Sequence, residues 1–144
     1  MLKAARAFQP DTIVHLGDLA DFFSISAHSK DPSRRANLAD EVRAVRAMRK
    51  QLDGLGATTK LFIEGNHEFR LQRYLQDKAP ELFEFVTTDQ LLELTANGWK
   101  FTPYREATRL GKLRLTHDVG TTGKYSTARA LETFQHSVAV GHNH

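Results

Sequence analysis

An α/β fold is what this sequence predicts, and two observations predict it. The stretches TIVHLGD (12–18) and TKLFIEGN (59–66) each read as a buried strand, with helical apolar spacing between them. Residues 12–66 therefore form a strand–helix–strand unit, whose strands are expected to lie parallel. Each strand also ends in a glycine followed by side chains that bind metal or move protons. In sheets of this class ligands gather beyond the carboxyl ends of the strands.

Taken in order, MLKAARAFQP resembles the end of an amphipathic helix more than a signal peptide. In DPSRR, Asp31 supplies a helix cap and Pro32 the first helical position. Leu38, Val42, Val45, Met48 and Leu52 then share one face, with Arg43, Arg46, Arg49 and Lys50 opposite, and DGLGA ends the helix. A second helix is expected from His67 to Lys78, with Leu71, Tyr74 and Leu75 inward. Pro80 interrupts it, and ELFEFV and DQLLEL read as short helical pieces. GWKFTPY and TRLGKLRLTHD look like short strands, the latter turning at Gly111. YSTARALETF is helical and SVAVGHNH is a last strand. The strand-rich second half predicts another sheet layer. With no repeat or linker, residues 1–144 are expected to form a single domain.

The 144 residues are 40% hydrophobic, enough for one core, and 26% charged, which argues against disorder. No apolar run approaches the ~20 residues that a membrane-spanning helix needs, and a cytoplasmic location is expected. The absence of cysteine excludes disulfides and thiolate sites, so any metal must be held by His, Asp, Asn or Glu. A net charge of +3 permits a phosphate-bearing partner without demanding one.

Four segments deliver the candidate site: Gly17-Asp18, Gly65-Asn66-His67-Glu68, His117-Asp118, and Gly141-His142-Asn143-His144. An Asp, an Asn and several His make a mixed nitrogen and oxygen ligand set. A carboxylate such as Asp18 can bridge two cations. Two metals about 3.5–4 Å apart would clamp the attacking and leaving oxygens of a phosphoester and acidify a water. Alone, Asp18 reads as a turn carboxylate and His117 as a structural histidine; the four blocks together reverse both readings. His15, His28 and His136 match no block and read as packed or surface residues. The arginines of the 38–52 helix read as a solvated face more cheaply than as a nucleic-acid contact.

LGDLAD, EGNHEF, LTHD and GHNH, in that order, resemble the calcineurin-like metallophosphoesterase family, and most closely its phage and bacterial members. The resemblance implies a sandwich of two β-sheets flanked by helices. It implies a metal-dependent phosphoester hydrolase of phosphatase, phosphodiesterase or nuclease type, in which hydroxide generated at a metal pair attacks phosphorus in line. Carried over residue by residue, Asp18 would bridge the metals, Asn66, His117 and His142 would complete one site, and His144 would serve the other. His67 would assist the leaving group, while Glu68, Asp118 and Asp21 would orient the ligands. The cofactors implied are two divalent ions, manganese first, with iron, zinc, nickel or magnesium as alternatives. A phosphoester is the implied substrate, nucleic acid among the candidates.

The family's opening Asp-x-His block has no counterpart in this sequence. The expectation is therefore a domain truncated at both ends, with an exposed sheet edge that favours a homo-oligomer. The alternative is a catalytically dead remnant that acts as a binding module or as part of an assembly.

Overall fold

A computed structural model describes residues 2–31, 33, 37–120 and 123–142. Its elements follow from the periodicities above. Helix α1 covers Leu2–Phe8 and β1 Thr12–His15; α2 covers Leu38–Asp53 and β2 Thr59–Ile63. Then come α3 (Arg70–Lys78), α4 (Thr88–Leu92), β3 (Lys100–Thr102), β4 (Ala107–Leu110), β5 (Leu113–Thr116), α5 (Ser126–Phe134) and β6 (Val138–Val140). Gly111 makes the β4–β5 turn with a φ of 59°.

The strands form two three-stranded sheets, ordered β1-β2-β3 and β4-β5-β6. The strands of the first are parallel, with His15 opposite Phe62 and Phe62 opposite Phe101. In the second, β5 runs antiparallel to β4 and parallel to β6, with Thr116 opposite Val140. These registers matter for the site. β1 and β2 end level with each other, as do β5 and β6, so within each pair the loops leave the sheet at matching heights.

Strand β2 is buried on both faces, and its pleat sorts its side chains. Leu61 and Ile63 meet Leu115, Val14, Leu16, Leu113 and Ala139 between the sheets. Phe62 points the other way, into a cluster with Val42 and Val45 of α2, Leu71 and Leu75 of α3, Leu92 and Trp99. Helices thus cover the outer face of the first sheet. The second sheet packs on its inner face, and α5 lies against β6.

Several local expectations are corrected. α2 starts at Leu38, capped by Asn37, whose side chain accepts from the Asp40 N–H. Asp31 instead closes a turn by accepting from the N–H and hydroxyl of Ser33, and Pro32 lies outside the described residues. α3 starts at Arg70 rather than His67, because residues 67–69 form the turn that carries the site. Tyr74 sits at the edge of the inward stripe of α3 and is exposed, as is Met48 on α2.

Arg49, expected on the solvated face, is only 2% exposed. It falls seven residues after Val42 and four after Val45, on the buried stripe itself. Asp53 at 2.7 Å and Glu93 at 3.2 Å neutralise it. Arg46 reaches the Leu91 carbonyl and Glu93, and Arg43 pairs with Asp40. The basic side of α2 is thus largely spent on internal partners.

Candidate metal centre

The Gly-Asp block turns sharply after β1. Gly17 has a φ of 94°, and Asp18 holds a left-handed φ of 59°, a conformation that Asp tolerates better than most residues. Glu68, fully buried, locks this turn in place. Its carboxylate accepts from the N–H groups of Asp18 (2.8 Å), Ala20 (2.8 Å) and Gly65 (3.0 Å). Burial pushes the Glu68 carboxyl up to about 7, even against those donors. Glu68 therefore acts on the backbone beneath the site rather than on a ligand side chain.

Gly65 is required by close approach. A Cβ there would lie 2.5 Å from the Asp18 nitrogen and 2.7 Å from Glu68 Oε2. Only a bare backbone lets the two turns nest. The Asp18 carboxylate then accepts from the His67 N–H at 3.1 Å.

Asn66, His117 and Asp18 converge. Nδ1 of His117 lies 2.6 Å from the Leu16 carbonyl oxygen, which can only accept, so Nδ1 carries the proton and donates. In the neutral ring Nε2 is then a bare lone pair. It faces Asn66 Oδ1 at 2.9 Å and Asp18 Oδ2 at 3.5 Å. His142 joins them: ligand atoms of Asp18, His117 and His142 lie within 4.8 Å of one another. The N–H groups of Gly141 and His142 both bond the His117 carbonyl, tying the β6 end to the β5 end. Acceptor atoms gathered this closely, with the donor of His117 turned away to Leu16, suit a divalent cation. His144 and Asn143 lie outside the described residues.

His67 stands beside this cluster, with Nδ1 3.1 Å from Asp21 Oδ1. Asp21 also receives Arg70 at 2.5 Å, and its loop is held by Glu41 of α2, which accepts from the N–H groups of Asp21 and Phe22 at 2.6 Å each. Asp118 turns elsewhere: it accepts from the Tyr104 hydroxyl at 2.5 Å and from the Gly120 N–H at 2.9 Å.

Sequence reasoning passed over three contributors. His15 ends β1, stacks on Phe62 at 5.1 Å and accepts from the Gly17 N–H at 3.2 Å, bracing the turn before Asp18. Burial holds its imidazole down at about 4, so it stays neutral. Glu41, on α2, and Tyr104, after β3, come from segments distant in sequence from the residues they brace.

A family model described as calcineurin-like phosphoesterase matches residues 1–144. The chain belongs to that family. Its members are phosphoester hydrolases that typically bind divalent metals, in keeping with the ligand set above. The chain is 30% identical to the Gene 54 protein of Mycobacterium phage L5, over 94% of its own length and 58% of that protein. It is 30% identical to the Gene 54 protein of Mycobacterium phage D29, over 99% of its own length and 62% of that protein. It thus spans about three-fifths of the phage relatives. No solved structure matches it. Among the described residues, no helix is long and apolar enough to cross a membrane.

Proposed function

We propose that this chain carries the catalytic centre of a metal-dependent phosphoester hydrolase built for two divalent ions, manganese being the first to test. The observation that carries this reading is the convergence of Asn66 Oδ1, His117 Nε2 and Asp18 Oδ2, with the tautomer of His117 fixed by the Leu16 carbonyl. Asn66, His117, Asp18 and His142 would hold one ion, and Asp18 with His144 would contribute to the second. Bound there, the ions would supply Lewis-acid charge and a water acidified for attack on phosphorus.

The protein's own groups do the rest. Glu68 and Gly65 keep Asp18 fixed while charge builds at the site. Asp21 receives the Nδ1–H of His67, which leaves Nε2 of that ring to meet the substrate. A protonated His67 would give its proton to the departing oxygen, or stabilise the charge on it, as the P–O bond breaks. Asp21, held by Arg70 and by the Glu41-anchored loop, keeps that ring turned toward the departing oxygen.

The two roles separate experimentally. His67→Ala is expected to leave metal binding intact while lowering turnover of a small phosphodiester about 10²–10⁴-fold. Asn66→Ala is expected to weaken metal binding itself, read by calorimetry with Mn²⁺. Normal turnover in both variants would overturn the assignment.

A further inference from the structure

A cleft of about 430 Å³ has Asn66 in its wall and none of Asp18, His117 or His142. That volume is in the range of sites for small organic ligands. Its walls come from three separate segments: Arg70 and Arg73 from α3, His28 from the loop before α2, and Tyr104 with Arg105 from the β3–β4 connection. Among the described residues, no carboxylate lines it. Arg70 is already matched by Asp21 at 2.5 Å. Arg73 and Arg105 are exposed, and among the described residues neither forms an ion pair. Arg105 lies 5.4 Å over the ring of Tyr104 and holds a left-handed φ of 68°. Two uncompensated guanidinium forks facing one cleft suit a phosphate, which each can grip bidentately.

The same cleft carries an aromatic wall. Phe69 and Tyr104 pack with ring centroids 5.0 Å apart, and both line it. Tyr104 is held at its backbone by Glu64 and at its hydroxyl by Asp118. Cationic forks beside aromatic rings are what a strand of unpaired nucleotides engages, through its phosphates and its bases.

We infer that this cleft seats the phosphate and base adjoining the scissile phosphate, so that the substrate is a phosphodiester chain, a single nucleic-acid strand, rather than a phosphomonoester. The inference rests on the hydrolase reading. A monoester would end at the metal centre and leave both arginines without an anionic partner.

The test is binding of a fluorescein-labelled single-stranded oligonucleotide to the metal-free chain, read by anisotropy across a salt series. Arg73→Gln combined with Arg105→Gln should weaken binding at least about 10-fold and lower the salt slope by about 1.4, two phosphate contacts' worth for a single strand. Arg43→Gln, on α2 and absent from the cleft wall, should leave both unchanged, and the double lysine variant should restore the slope. Equal losses in the glutamine pair and in Arg43→Gln would overturn the cleft. A duplex of the same sequence bound as tightly, with the same arginine dependence, would overturn the single-strand assignment. Hydrolysis of bis(p-nitrophenyl) phosphate by the Mn²⁺-loaded wild type tests the hydrolase reading separately. Its failure would leave the binding result standing.

Discussion

Glu68 and His15 impose opposite pH slopes on the stability of the metal-free chain. Burial pushes Glu68 from an ordinary 4.5 up to about 7, and holds His15 from 6.5 down to about 4. Each gap corresponds to about 3 kcal/mol. Between about 4.5 and 7 the folded chain keeps a proton on Glu68 that the unfolded chain has released, so stability falls as pH rises. Between about 4 and 6.5 the unfolded chain holds a proton on His15 that the folded chain refuses, so stability rises with pH. The two slopes offset each other wherever the windows overlap.

Single substitutions therefore expose what the wild type conceals. Glu68→Gln should reveal a gain of about 3 kcal/mol as pH rises through the acid window, and His15→Phe, which keeps a ring on Phe62, a loss of similar size. Urea unfolding in EDTA, followed by the fluorescence of Trp99, the single tryptophan and a buried one, reads both. Glu64, also raised by burial, tilts all three proteins alike, so the quantity to compare is each variant minus wild type. Parallel pH profiles for the three proteins would refute the reasoning.

Two further substitutions test how the scaffold is held. Arg49→Leu strips the buried guanidinium from Asp53 and Glu93. It should cost about 3 kcal/mol in urea unfolding, at the low end for a broken buried pair because Glu93 is partly solvated. Gly141→Ala would drive a Cβ against the Leu16 carbonyl, 2.8 Å from Leu16 Cβ. Since that carbonyl fixes the His117 tautomer, Mn²⁺ affinity should fall about 10–100-fold by calorimetry.

The fold was legible where periodicity speaks for itself. The 12–18 and 59–66 strands, the helix between them, the turn at Gly111 and the last strand all stand where the apolar pattern put them. Local chemistry misled where tertiary contacts outweighed it. The Asp31-Pro32 start signal was overridden because Asn37 offers a cap directly at the apolar stripe. Arg49 looked like a surface residue because its two acidic partners, four residues on in the same helix and 44 residues away, cannot be paired from sequence alone.

The site residues were legible as blocks because chemistry-bearing side chains follow glycine at strand ends. Their supporting contacts were not. Asp118 shows why: it sits next to His117 in sequence, yet bonds Tyr104, 14 residues earlier, and braces the cleft wall.

The glycines in these blocks suggest a reason for that asymmetry. Gly65 and Gly141 are not there for unusual dihedrals, since neither has a positive φ. Each sits where a neighbouring turn or strand end leaves no room for a side chain, the one against Asp18 and Glu68, the other against Leu16. The first contact fixes Asp18, and the second holds the carbonyl that turns His117 toward it. What a sequence displays as Gly-polar pairs is, in the folded chain, a set of backbones brought near enough to aim their neighbours at one point.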